Sequence, residues 1–313
     1  MEFDIQTFSL GKSFGEIVAV HDLNLAVERG TIFGLVGPDG AGKTTTMRML
    51  CSLISPDRGK GSIRNLDIVK DSEEIKKYIG YMPQKFSLYG DLTVMENLVF
   101  YAEIYEVPRK VMKEKIDYLL VFSNLKEHTK KLADQLSGGM KQKLALSCNL
   151  IHTPEYLFLD EPTIGVDPVA RRELWKILFD LRAQGVTIFV STPYMDEAER
   201  CDVIGLMNQG KIINQNPPAN MINGFQKTIL SVFADDPHQG KAFAPTLPYV
   251  EDAYLMGEEI HVVLEDDRND QNKIFDDFVK QGIKVKEIKK IKPALEDIFV
   301  NLVRHEQENQ DQK

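Results

Sequence analysis

The stretch GPDGAGKT, Gly37–Thr44, constrains the fold more than any other part of this chain. It fits G-x4-G-K-[ST], and its flanks suit it. TIFGLVG (Thr31–Gly37) before it is a short apolar run of buried-strand type, and KTTTMRMLCSLI (Lys43–Ile54) after it reads as a helix broken by SPDRGKG. Within Gly37, Pro38, Asp39, Gly40, Ala41 and Gly42, the glycines let successive backbone N–H groups turn inward at the positive end of the following helix. That makes a cradle for phosphates. Lys43 brings a point charge to the β- and γ-phosphates, and the Thr44 hydroxyl, with Thr45 beside it, is placed to reach Mg²⁺.

Two further segments extend this chemistry. YLFLDEP (Tyr156–Pro162) is a buried strand that delivers Asp160, a carboxylate suited to the Mg²⁺ shell. Glu161 follows, and strand alternation turns it elsewhere, free to orient an attacking water. Taken alone, the acidic pair also reads as a helix cap on a turn. QLSGGMKQKLALSCNL (Gln135–Leu150) places Ser137, Gly138 and Gly139 at a helix start, presenting a hydroxyl and bare N–H groups to an anion. A simple cap explains that pattern too. With one phosphate loop already in the chain, the anion-binding reading points to the ATP held by another chain.

Strands alternate with helices throughout the first two thirds, which predicts a mainly parallel α/β sheet, with a helical segment from about 88 to 152. NQNPPANMINGF (Asn214–Phe225) reads as a linker or reversal. Beyond it, strand-like TILSVFA, YVEDAYLM and IHVVLED, helix-like NKIFDDFVKQG and strand-like IKVKEIKKI suggest a small α+β unit, with a ferredoxin-like arrangement as one candidate. A terminal helix begins near Pro293, and the tail EQENQDQK is expected to fray. The division is therefore 1–220 and 221–313. Of 313 residues, 27% are charged and the formal net charge is −9, which argues against a nucleic-acid partner. Cys51, Cys148 and Cys201 are scattered without CxxC spacing, as in a reducing compartment. No apolar run is long enough to span a membrane, so any membrane passage belongs to other chains.

Together, the phosphate loop, Gln84 in YMPQ, LSGGM, YLFLDEPTIGVDP and STPYMDEAERCD resemble an ATP-binding subunit of the ABC transporter superfamily, from Phe3 to about Met221. Met140 at the fifth signature position, FGLVGPDGAGKTT and the late PALEDIF are similar to its drug- and lipid-exporter branch. The resemblance implies a P-loop ATPase core with a mainly parallel sheet, an antiparallel β subdomain and a helical subdomain, followed by an accessory C-terminal domain. ATP and Mg²⁺ are the implied cofactors. Phe14 would stack on the adenine, Val20 would belong to the cofactor-binding set, and Thr44, Gln84 and Asp160 would hold the metal. Glu161 would be catalytic. Asp167 would couple two sites across a head-to-tail dimer. A permease would dock near Gln84–Tyr105, with Phe86, Leu88 and Tyr89 exposed to it, and the chain would sit on the cytoplasmic face of the cell membrane.

One position departs from the family. Pro193 stands where the switch histidine would, and proline offers no side-chain donor and no backbone N–H. Loss of a transition-state donor costs roughly 10²–10³ in rate. Either Thr192 or a water fills in, or the chain is a slow ATP clamp; the pair would be a homodimer, or a heterodimer with a sister ATPase. A soluble ABC ATPase of translation or DNA repair is the third reading; the single cassette and acidic balance count against it.

Overall fold

A computed structural model describes residues 3–85, 88–265 and 271–311. The chain forms two compact units, Met1–Pro218 and Ala219–Lys313.

The first unit opens with a long antiparallel hairpin, β1 (Phe3–Phe14) and β2 (Ile17–Glu28). The buried strand β3 (Ile32–Val36) then runs through the glycine turn into α1 (Lys43–Leu50). Strands β4 (Arg58–Ile63) and β5 (Leu66–Asp67) return to the hairpin and complete a four-stranded antiparallel sheet in the order β2-β1-β4-β5. After the short α2 (Ser72–Ile75) and β6 (Ile79–Met82), three helices follow: α3 (Val94–Ile104), α4 (Arg109–Phe122) and α5 (Gly138–Leu150). The alternation then resumes with β7 (Tyr156–Asp160), α6 (Pro168–Ala183), β8 (Thr187–Thr192), α7 (Met195–Ala198), β9 (Val203–Asn208) and β10 (Lys211–Asn216).

These strands make a six-stranded sheet in the order β10-β9-β3-β8-β7-β6, parallel except for the outer β10. Every residue of β3, β7 and β8 is buried, as expected for central parallel strands covered on both faces. Register lines up Phe33, Phe189 and Phe158 across the three strands, with ring centroids 5.0 and 5.5 Å apart. This layer holds rigid the strand ends from which the loops of the site depart.

The stretch expected to be a linker or reversal is ordered structure. Asn214–Asn216 pair antiparallel with β9, and α8 (Pro218–Gly224) follows, with proline at its first turn where no N–H is needed.

The second unit reads β11 (Thr228–Ala234), α9 (Pro237–Phe243), β12 (Val250–Met256), β13 (Glu259–Leu264), α10 (Gln271–Lys280), β14 (Val285–Ile291) and α11 (Leu295–Asp311). The βαββαβ order with the antiparallel sheet β12-β13-β11-β14 is the ferredoxin-like arrangement. Helix α9 was not expected; Asp236 caps it by accepting from the Gln239 N–H, and Pro237 opens it. Helix α11 continues through residues 306–311, which were expected to fray. Residues 266–270 of the acidic run lie outside the described residues.

Asp297 is fully buried at the start of α11. It receives hydrogen bonds from the Tyr254 hydroxyl (2.8 Å) and the Ala294 N–H (2.7 Å), and His261 Nδ1 lies 2.6 Å away. Burial opposes its ionisation, yet these partners outweigh burial and hold its carboxyl below the usual aspartate range.

Candidate functional site

Glycine geometry shapes the turn between β3 and α1. A side chain at Gly37 would place its Cβ 2.1 Å from the Met207 carbonyl oxygen, and Gly42 adopts φ 105° with the Ala19 carbonyl 2.4 Å from a Cβ. Only glycine lets the backbone pass there. Lys43, at the first position of α1, folds back over this turn. Its Nζ donates to the carbonyls of Gly37 (2.8 Å) and Pro38 (3.0 Å) and lies 3.1 Å from Glu161 Oε1. Gln84 Nε2 donates to Glu161 Oε2 at 2.7 Å. A cleft of about 480 Å³ opens here, lined by Asp39, Gly40, Gly42, Lys43, Thr44, Thr45, Gln84 and Glu161, with Ile17, Val18, Ala19 and Ile164 along its apolar side.

Asp160 and Glu161 are held apart by the backbone. Strand β7 ends at Asp160, and Glu161 takes a left-handed φ of 50°. A turn, rather than strand alternation, therefore aims the two carboxylates differently, and strain at a non-glycine residue is common in functional sites. Contrary to expectation, the Glu161 carboxylate is engaged by Lys43 and Gln84, because a buried carboxylate takes up whatever cation and donor lie in reach. Ser191, at the end of β8, fixes the pair. Its hydroxyl donates to Asp160 Oδ1 (2.6 Å) and accepts from the Glu161 N–H (3.0 Å). Asp160 Oδ2 is buried and has no hydrogen-bond partner.

Two cofactor-binding expectations separate. Phe14 is 52% exposed and pairs in the hairpin with Ile17, which lines the cleft. Val20 is wholly buried in the core beside Gly42, while the neighbouring Ile17, Val18 and Ala19 form the apolar wall of the cleft. The signal was present in FGEIVAV, where adjacent apolar residues leave more greasy surface than one sheet face can bury.

Ser137 caps α5, accepting from the Met140 N–H at 3.3 Å. A Cβ at Gly139 would approach Ala170 Cβ to 2.4 Å, so only glycine lets α5 start this close to the first turn of α6. Asp167 caps α6 through the N–H groups of Val169 and Ala170, and the Ala170 bond leads in holding its carboxyl below the usual range. Ser137, Gly138 and Gly139 do not line the cleft around Lys43. His152 is held elsewhere, 3.0 Å from the Ile79 carbonyl and stacked on Tyr105. In the segment expected to meet a permease, Leu88 is half-buried, Tyr89 is exposed and Phe86 lies outside the described residues.

At the switch position, Pro193 is half-buried. Thr192 is fully buried and donates its hydroxyl hydrogen to Glu197 Oε2 at 2.8 Å, while accepting from the Tyr194 N–H at 3.1 Å. Its hydroxyl is thus committed, and Thr192 does not fill in for a histidine.

Residues 20–164 match the ABC transporter family model, and residues 223–303 match the C-terminal domain of DrrA1-3-like ATP-binding proteins. Nod factor export ATP-binding protein I of Rhizobium sp. is 34% identical over 95% of this chain and 96% of its own length. The chain belongs to the ABC transporter family, as one of its ATP-binding cassettes. A bacitracin transport ATP-binding protein, BcrA of Bacillus licheniformis, is likewise 34% identical, over 96% and 97%. The probable multidrug ABC transporter ATP-binding protein YbhF of Escherichia coli is 40% identical over 91% of this chain, which spans 49% of that relative's length. Among solved structures, a dimeric post-hydrolysis state of the ATP-binding cassette MJ0796, bound to ADP and Pi, superposes with a TM-score of 0.62 at 25% identity, over 68% of this chain and 98% of that one. This cassette contains no helix, among the described residues, that is long and apolar enough to cross a membrane.

Sequence reasoning missed Ser191. Its signal was a hydroxyl at the end of a buried strand next to the acidic one.

Proposed function

We propose that this chain is the ATP-hydrolysing subunit of an ABC exporter, closing head-to-tail with a second cassette around ATP and driving separate membrane permease chains. The observation that carries this reading is the convergence of Lys43, Gln84 and Glu161 around the glycine turn, with Asp160 tied to Glu161 through Ser191. The turn's N–H groups and Lys43 bind the triphosphate. The donor set also suits a hard divalent cation: Asp160 has one oxygen fixed by Ser191 and one buried oxygen without a partner. Mg²⁺ would be held by Asp160, Thr44 and Gln84, and would neutralise charge on the phosphates. Glu161 is the group that orients the attacking water, once Lys43 exchanges its carboxylate for phosphate. The hairpin apolar residues with Phe14 offer a platform for adenine. Ser137, Gly138 and Gly139 serve the ATP held mainly by the partner cassette, and Asp167 lies at the contact between the two. The 1–220 segment performs the ATP chemistry and 221–313 is accessory. The chain acts on the cytoplasmic face of the membrane, with a permease docking around Gln84–Tyr105 through Tyr89.

A second reading is favoured by one observation. Pro193 supplies no donor and the Thr192 hydroxyl is spent on Glu197, and in this reading the chain is a slow clamp whose signature helix completes a faster site on a sister ATPase. Steady-state Mg-ATP turnover of the full chain tests both, with Glu161→Gln and Pro193→His alongside. Turnover abolished by Glu161→Gln and little changed by Pro193→His supports a motor in its own right. Turnover awakened by Pro193→His supports the clamp. Turnover that survives Glu161→Gln overturns the assignment of the site.

A further inference from the structure

The site's own chemistry leaves one buried charge unused. Glu197, in α7, has no exposed surface, yet it contacts neither the cleft nor Lys43. One of its oxygens accepts the Thr192 hydroxyl, and the other lies 3.4 Å from Nε of the half-buried Arg171, an ion-pair contact that lacks hydrogen-bond geometry. The Arg171 guanidinium also covers the Tyr194 ring, 4.6 Å from its centroid, and approaches Asp196 Oδ2 to 3.7 Å. Thr192 and Tyr194 are the residues on either side of Pro193. Both are tied to the same ion pair, and the Tyr194 N–H closes the ring by donating to Thr192 Oγ1.

Arg171 stands in the first turn of α6, one residue after Ala170, against which Gly139 of the signature helix packs, and four after the capping Asp167. Lys143 of α5 and Glu173 of α6 add an ion pair to the same junction. One helical turn thus touches the start of the signature helix, the cap at Asp167 and the segment around Pro193.

We propose that Arg171 and Glu197 are positioning residues that hold the Thr192–Tyr194 segment against α6. Through them this segment answers to movements of the signature helix and the Asp167 cap, in place of a side-chain bond from position 193 to the nucleotide. The inference rests on the proposed ATPase reading for its consequence, and on the geometry alone for the contact.

Buried ion pairs tolerate loss of one partner poorly, since the remaining charge is left uncompensated. Displacing a segment of a catalytic site by about 1 Å can cost roughly 100-fold in rate without touching substrate. The full chain, Arg171→Met, Arg171→Lys and Glu197→Gln are compared in two measurements. The first is hydrogen exchange of the peptide containing Tyr194, with the 37–50 peptide as internal reference. The second is binding and turnover of Mg-ATP. We expect Arg171→Met and Glu197→Gln to speed exchange at the Tyr194 amide by about 10-fold or more while the reference peptide holds. ATP affinity should stay within about twofold and kcat fall by roughly 10- to 100-fold. Arg171→Lys, which keeps the charge, should recover most of both. Unchanged exchange in Arg171→Met overturns the proposal whatever the turnover. So does exchange that rises equally in the reference peptide, because the effect is then general loosening. If exchange responds as expected but wild type turns over no faster than Glu161→Gln, the contact stands and the ATPase reading fails instead.

Discussion

Lys43 Nζ lies 3.1 Å from Glu161 Oε1, and both side chains are almost sealed from solvent. The cation that would meet the γ-phosphate and the carboxylate that would orient water therefore neutralise each other across the cleft. On the proposed reading each would release the other as nucleotide binds, so binding and arming of the base would be one event. Glu161→Gln should lower turnover by about 10²–10⁴ while keeping ATP affinity, since the amide no longer competes for Lys43. Lys43→Ala should weaken ATP binding by roughly 10- to 100-fold, the worth of a charge-assisted hydrogen bond. Equilibrium nucleotide titration and single-turnover hydrolysis separate the two effects. An equal loss of affinity in both variants would contradict this account.

Ser191 ties the ends of β7 and β8 together through Asp160 and the Glu161 N–H. Ser191→Ala should cost about 1–3 kcal/mol of stability, because the buried Asp160 Oδ1 loses its donor while the Glu161 N–H keeps only its bond to the Ser191 carbonyl. It should also raise the Mg²⁺ concentration needed for half-maximal turnover. Denaturant melts and a Mg²⁺ titration check this, and an unshifted titration would reduce Ser191 to a purely structural role.

Gly139 has no room for a methyl group, with Ala170 Cβ 2.4 Å from the position it would take. Gly139→Ala should push α5 off α6, costing about 1–3 kcal/mol as an overpacked contact. ATP-dependent association, followed by size-exclusion chromatography in the Glu161→Gln background, should weaken. Binding of ATP to the single chain should not, because Gly139 is absent from the lining of the cleft.

Asp297 gives the C-terminal unit a pH dependence of defined sign. Its carboxyl is depressed below the ordinary aspartate value of 3.8 despite burial. Its contribution is therefore fully present above about pH 4 and lost as pH falls through the lowered folded value. Asp297→Asn should destabilise the protein at pH 7. The gap between variant and wild type should narrow as pH drops from about 4 towards 3. Urea melts at both pH values, followed in the C-terminal unit, measure it. A gap that widens on acidification would reverse the assigned sign.

Much of this was legible from residues alone. The phosphate turn, the acidic strand and the capped signature helix each declare themselves locally, because glycines, a lysine and hydroxyls at set spacing leave few other uses. What escaped was set by contacts between segments far apart in the chain. Val18 and Val20 are two apart on one strand, where alternation alone would give them the same face, but the pairing is irregular between Ser13–Val18 and Lys12–Val20, and one ends in the core while the other lines the cleft. Thr192 offered a hydroxyl where a donor was wanted, but Glu197 had already taken its hydrogen. Helix α9 was hidden in a polar stretch because its two signals, Asp236 and Pro237, also mark turns.

Strand β14 is one of the two edge strands of the C-terminal sheet, β12 being the other, and its accessible positions carry Lys286, Glu287, Lys289 and Lys290. A foreign strand arriving there would have to strip water from a row of charges to gain its backbone bonds. That edge is thereby closed to lengthening without being closed in space. A chain carrying this unit can be made in quantity and crowded beside its copies with little risk of β-aggregation along that edge.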